Sequence, residues 1–304
     1  MAEIPSLSKR SVEALRQDGV SGFLRQGLLY LLRRIAWRTD EWSKSLEVSI
    51  LSSSLQREFG PLLQRNEVFR NRHKGNRCFV IGNGPSLKEQ DLSPLVDEIT
   101  LVTNSFYAYP IVGDSWQPTY YFISDPMYFD GRVDTTEFAA ISSKIKSAPF
   151  FVPSYAYKFL SESNALPAPR TYYVGVGGVR LERSTELPDF TSVTLGMQTV
   201  VQLAIMAGMF MGCSPIYLIG LDHNWLAQPA EDHFYTKSDS ETQTEIQVRP
   251  WTYLSLMGAI TTMWDVYLAL QKIADAAGIE IVNCTQGGFL DVFKRAKYED
   301  IVRP

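Results

Sequence analysis

Residues 77–82, Arg-Cys-Phe-Val-Ile-Gly, form a short apolar run that opens directly into Asn83-Gly84-Pro85-Ser86-Leu87. An apolar run of this length reads as a strand buried on both faces, the kind found in parallel sheets. Glycines at its end, then a proline able to start a helix, mark the carboxyl edge of such a sheet, where α/β folds bind ligands. Glycine lets backbone N–H groups come close to a phosphate. Gly82, Asn83, Gly84, Pro85 and Ser86 are therefore the first candidate nucleotide-binding residues. Asn83 adds a side-chain donor and acceptor, and Ser86 can bond the free backbone groups of the turn. The spacing is neither the dinucleotide fingerprint, since no third glycine follows, nor a Walker A loop, since no Gly-Lys-Ser/Thr follows. The plain alternative is a tight strand–helix turn without a ligand.

The rest of the chain repeats this pattern. Ile99–Thr103 and residues 120–124, 148–152, 171–175, 215–220 and 280–283 read as further strands. Residues 197–211 form a long apolar segment, best read as a buried helix rather than a cofactor box. Tyr253–Ala277 is a long helix closed by Gly278 as its C-cap glycine. Strands alternating with helices predict a Rossmann-like α/β domain, a mostly parallel sheet with helices on both faces. This domain is expected over residues 76–304, with a helical N-terminal extension over residues 1–75. Residues 226–250 are polar, with few apolar anchors, and read as a long binding loop.

Charge separates the two parts. Residues 1–77 hold 14 of the 29 Lys and Arg residues but only 8 of the 33 Asp and Glu residues, while the whole chain carries −4. The acidic body argues against a nucleic-acid partner, and the basic start suggests an anionic surface for that segment alone. Within residues 19–38, Leu24, Leu28, Leu31, Leu32 and Ile35 recur at helical spacing, accompanied by Arg25, Arg33, Arg34 and Arg38. Such a helix can lie in a membrane interface, with Trp37 inward, or pack on the main domain with its arginines in water. No continuous apolar signal sequence opens the chain, and the longest apolar stretch near the start is far below the roughly 20 residues a span needs. The expectation is a cytoplasmic protein, peripheral at the inner face of a bacterial membrane. Cys78, Cys213 and Cys284 lack zinc-site spacing and read as buried thiols.

Polar residues follow several other strands: Asn104 and Ser105, then Ser124 and Asp125, then Asp222 and His223. In a parallel sheet these ends converge on one edge, which is a site-like arrangement.

The combination of residues 80–89 (Val-Ile-Gly-Asn-Gly-Pro-Ser-Leu-Lys-Glu), 103–107 (Thr-Asn-Ser-Phe-Tyr) and 216–222 (Ile-Tyr-Leu-Ile-Gly-Leu-Asp) resembles bacterial sialyltransferases of glycosyltransferase family 42. It also resembles the related domain named after 6-hydroxymethylpterin diphosphokinase, found in flagellin-modifying nonulosonic acid transferases. Residues 283–288, Asn-Cys-Thr-Gln-Gly-Gly, are similar to the C-terminal motif of that second group. The resemblance covers roughly residues 77–293. It implies a CMP-sugar donor contacted by Asn83 and Asn104, with an acidic sugar passed to a glycan or glycolipid acceptor. The chain departs from the pattern at Asp125, where the family has a third asparagine. Thr194, Leu195 and Gly196 match its Ser-Gly pair inexactly, and residues 258–262 lack its catalytic histidine.

Glycosyl transfer then needs another base with a pKa near neutrality. His233, in the polar loop, is the first candidate and His223, beside Asp222, the second; His73 reads as a surface residue. Tyr235 can hydrogen-bond the leaving phosphate and Arg249 can neutralise it. Trp251, Tyr253 and Trp264 read as core and helix-packing aromatics, or as a wall for a sugar ring. No cofactor is required on this reading. Two rivals differ from it. One is pyrophosphoryl transfer from ATP to a pterin alcohol, with Asp125 and Asp222 holding Mg²⁺. The other is a non-catalytic partner in envelope assembly.

Overall fold

The computed structural model describes residues 49–50, 52–133, 135–177, 185–224, 233–234 and 252–303. The basic segment 19–38, together with Tyr235, Arg249 and Trp251, lies outside the described residues. One compact unit runs from Ser52 to Pro304. The expected boundary at 75/76 therefore falls inside that unit. Helix α1 (52–63) and the 3₁₀ turn Gln64–Phe69 belong to it, with Leu63, Asn66 and Phe69 fully buried or nearly so. Asn66 Nδ2 donates to the carbonyls of Tyr173 and Phe190 (2.7 and 2.8 Å), which stitches this segment to the sheet.

Among the described residues, nine parallel strands form one sheet: β1 (Cys78–Ile81), β2 (Ile99–Thr103), β3 (Tyr120–Phe122), β4 (Phe150–Pro153), β5 (Thr171–Val176), β6 (Val193–Thr194), β7 (Ile216–Ile219), β8 (Ile281–Asn283) and β9 (Lys294–Arg295). Their order is β6-β5-β4-β3-β2-β1-β7-β8-β9. Seven of them fall on the expected apolar runs. The other two are two-residue edge strands without an apolar run to announce them.

Every residue of β1 is buried because both faces of the sheet are covered. Alternation divides the strand between two cores. Cys78 and Val80 join the core that holds α4 (Val200–Phe210) and α5 (Tyr253–Ala277). Phe79 and Ile81 join the core on the other face, with residues of α2 (Thr135–Lys144), α3 (Tyr157–Ser163) and α6 (Tyr298–Val302). Helix α4 is enclosed on all sides, since every residue from Val201 to Phe210 is buried, Gln202 being the one polar side chain among them. Helix α5 ends where the sequence predicts, on Gly278 at φ 68°. Its first turns differ from a packed helix: Tyr253 is 74% exposed and takes no part in the core. The three cysteines are free and buried, as their apolar surroundings suggest.

Candidate functional site

The strand order reverses at the β1–β7 pair: sequence numbers climb from β1 to β6 on one side and from β7 to β9 on the other. The crevice outside the carboxyl ends at such a reversal is where open α/β sheets bind ligands. Gly82-Asn83-Gly84 leaves β1 there and Gly220-Leu221-Asp222 leaves β7. The two segments touch. A Cβ on Gly82 would meet Gly220 O at 2.5 Å, and a Cβ on Gly84 would overlap Asp222 Oδ2 and stand 2.7 Å from Gly220 O. Both glycines are therefore required by the close approach of the two segments.

Asp222 fixes the turn. Its Oδ2 accepts from Ser86 Oγ (2.8 Å) and its Oδ1 from Ser86 N (3.2 Å). Ser86 thus bonds a carboxylate from another strand rather than the backbone of its own turn. Pro85 does start a helical element, but it is the five-residue 3₁₀ turn Pro85–Glu89. The N–H groups of Gly82, Gly84, Ser86 and Leu87 are all bonded within the chain. The expected row of free N–H groups for a phosphate is reduced to that of Asn83, and the Asp222 carboxylate beside Gly84 opposes a dense negative charge there.

What the turn does offer is a side chain. Asn83 Nδ2 donates to Thr103 O (2.9 Å), which leaves its Oδ1 buried without a partner. On the neighbouring strand end, Asn104 Oδ1 is likewise buried and unpartnered. Asn104 sits at φ 41°, a left-handed conformation that asparagine tolerates better than most residues. The Tyr121 hydroxyl, which donates to Asn104 O and accepts from Tyr107 N (3.1 Å), holds it there. Sequence reasoning missed Tyr121, because a tyrosine in an apolar strand reads as core. Ser105 turns away into a network with Tyr128 (2.9 Å) and Glu137 (3.3 Å).

Phe234 joins the Asn83 turn. Its N–H donates to Asn83 O (2.9 Å), and its ring packs edge-on against Tyr109 and Phe106 at 5.2 and 6.2 Å. His233 is thereby carried to within one residue of the turn.

The other candidates are placed differently. Asp125 caps the short turn Pro126–Tyr128 by accepting from Met127 N (3.0 Å). Among the described residues no group of three or more His, Cys, Asp and Glu side chains could hold a metal ion. Thr194 ends the edge strand β6, with four strands between it and β1; Leu195 is buried, and Gly196 has open space around its Cα. His73 is no free surface residue: its Nε2 meets Tyr120 OH (2.7 Å) at the amino end of β3, the edge opposite the site.

His223 faces α5, with Nε2 2.7 Å from Tyr267 OH and its ring 5.7 Å from that of Trp264. Desolvation lowers its pKa to about 3, so the imidazole is neutral at pH 7 and weakly basic. Trp264 is partly buried against the core that holds α4 and α5 and donates to Asp291 (3.0 Å).

Burial raises the pKa of Asp222, and its bonds to Ser86 oppose that rise only in part. A carboxyl whose folded pKa lies above the unfolded value costs stability as pH rises through the folded value. Asp222→Asn keeps an acceptor for Ser86 without the charge. The variant is expected to melt no lower than the wild type at pH 7 and to lose stability less steeply between pH 4 and 7. Thermal melts across that range check this; a variant that melts lower at every pH would show that the ionised form is the stabilising one.

No protein-family model and no curated protein sequence matches the chain. Solved structures do. The sialyltransferase CstII from Campylobacter jejuni, in complex with the substrate analogue CMP-3FNeuAc, is 15% identical over 72% of this chain and 85% of its own, with a TM-score of 0.46. The monofunctional alpha-2,3-sialyltransferase Cst-I from Campylobacter jejuni is 14% identical over 72% and 79%, with a TM-score of 0.45.

Proposed function

We propose that the chain is a glycosyltransferase that takes an acidic sugar, of nonulosonic acid or Kdo type, from a CMP-activated donor and passes it to a surface glycan or glycolipid acceptor. The observation that carries this reading is the pair of unpartnered amide oxygens, Asn83 Oδ1 and Asn104 Oδ1, on adjacent strand ends at the switch point. A buried acceptor without its bond costs about 1–3 kcal/mol. The ligand that relieves it brings donors. Cytosine has an exocyclic amine and ribose has hydroxyls; phosphate brings acceptors only. The turn suits a nucleoside carrying a single phosphate better than a triphosphate, because the N–H groups of Gly82, Gly84, Ser86 and Leu87 are already bonded and Asp222 stands beside it.

In the proposed reaction His233 takes the proton of the acceptor hydroxyl as its oxygen attacks the anomeric carbon. The bond from that carbon to the phosphate oxygen breaks, and CMP leaves with the electron pair. Asp222 positions Ser86 and the turn, and Tyr235 and Arg249 are assigned to the leaving phosphate. No cofactor is needed for this step.

Calorimetric titration with CMP, CDP, UDP and ATP tests the reading. Cytidine nucleotides are expected to bind; binding of ATP with no binding of CMP would sink it. Residues 19–38 are assigned to an anionic membrane surface at the cytoplasmic face. Deleting residues 1–40 is then expected to abolish sedimentation with anionic vesicles while leaving CMP affinity intact, and vesicle binding that survives the deletion would place the anchor elsewhere.

A further inference from the structure

A cavity of about 540 Å³ lies beside the donor turn, between Gln90 and the loop that follows β8. We propose that it is a second carbohydrate site, one that takes an acidic sugar. Its role as the acceptor site rests on the function proposed above; its affinity for a sugar acid does not.

Gln90 forms part of the wall and is 4% exposed. Its Nε2 donates to Cys284 O (3.1 Å), while its Oε1 is buried without a partner. An enclosed amide oxygen in this state calls for a donor, and a hydroxyl supplies one after a small shift of the amide. The opposite wall is cationic. Arg295 donates to Leu290 O (3.1 Å), Thr285 O (2.6 Å) and Gly287 O, so its guanidinium is held in place rather than free to swing. Lys297 lies two residues further on and is exposed, as is Gln286 across the loop. Among the described residues of the lining, Glu299 is the one acid. Two cations against one carboxylate favour an anion, while Gln90 and Gln286 favour hydroxyls. A polyhydroxylated carboxylate meets both demands, and the volume suits one or two sugar rings.

The cavity is coupled to the donor turn on both sides. Gln90 closes the 3₁₀ turn that begins at Pro85, and its N–H donates to Leu87 O (3.3 Å). The loop after β8 is tied to β7 by Phe289 N–H donating to Asp222 O (2.7 Å) and by Thr285 Oγ1 accepting from Leu221 N (3.0 Å). A sugar bound here sits on the strand end adjacent to the one that supplies Asp222.

Ligand-observed NMR on the full chain, with glucuronic acid and glucose as probes, tests the proposal, since the two differ by one carboxylate. Glucuronate is expected to bind at least about ten-fold more tightly than glucose, and Lys297→Glu to weaken glucuronate at least about ten-fold, the effect of one charge-assisted bond. Equal binding of the two sugars, or glucuronate binding untouched by Lys297→Glu, would overturn it. CMP titrated into both proteins separates the failures. A wild type that binds glucuronate this way but not CMP keeps the sugar-acid site and removes the transferase reading. One that binds CMP but not glucuronate removes this site alone.

Discussion

Gly84→Ala is expected to disable the protein while leaving its sheet in place. The added methyl would overlap the Asp222 carboxylate and press on Gly220 O, and the latter is backbone that cannot swing aside. The carboxylate must leave Ser86, and the turn that presents Asn83 must shift with it. Overpacking of this kind costs about 1–3 kcal/mol of stability. Turnover is expected to fall about 100-fold, the penalty that a misplacement of roughly 1 Å imposes on a reacting geometry. Gly82→Ala meets the same carbonyl at 2.5 Å and is expected to behave alike. A melt and a transfer assay on each variant check this. Wild-type turnover in Gly84→Ala would mean that the Ser86–Asp222 clamp does not position the donor.

His233→Ala is expected to separate chemistry from binding. Removing a general base costs about 10²–10⁴ in rate, whereas CMP affinity should stay within about two-fold, because the neighbouring bond from Phe234 N–H to Asn83 O is made by backbone. Replacement of His223 should do the reverse. Its imidazole is desolvated and engaged by Tyr267, so His223→Ala is expected to lower stability more than turnover. If His233→Ala turns over normally and His223→Ala does not, the two roles are exchanged.

The parts of this molecule that were legible in sequence are those set by local pattern. The apolar runs of β1, β2 and β7 are buried on both faces, and such runs leave few alternatives to a parallel sheet. Gly278 ends α5 because a left-handed position follows the last helical residue. Asn83 and Asn104 are legible because each stands just after a strand. What escaped was pairing across the chain. Ser86 and Asp222 are 136 residues apart, and nothing near Ser86 shows that its hydroxyl and N–H are taken. The two-residue strands β6 and β9 owe their existence to their neighbours, not to their own residues. Residues 52–75 read as an extension because helical periodicity does not reveal what a helix packs against; only the bonds from Asn66 to Tyr173 and Phe190 do.

The proposed function requires a cytidine nucleotide held between the ends of β1 and β2. A crystal of the chain soaked with CMP tests it most directly. CMP is expected with donor groups of its base or ribose on Asn83 Oδ1 and Asn104 Oδ1, its single phosphate directed away from Asp222, and Phe234 displaced or repacked around it. CMP bound elsewhere, or bound with its phosphate seated on the Gly82–Ser86 backbone and both asparagine oxygens still without partners, would contradict it.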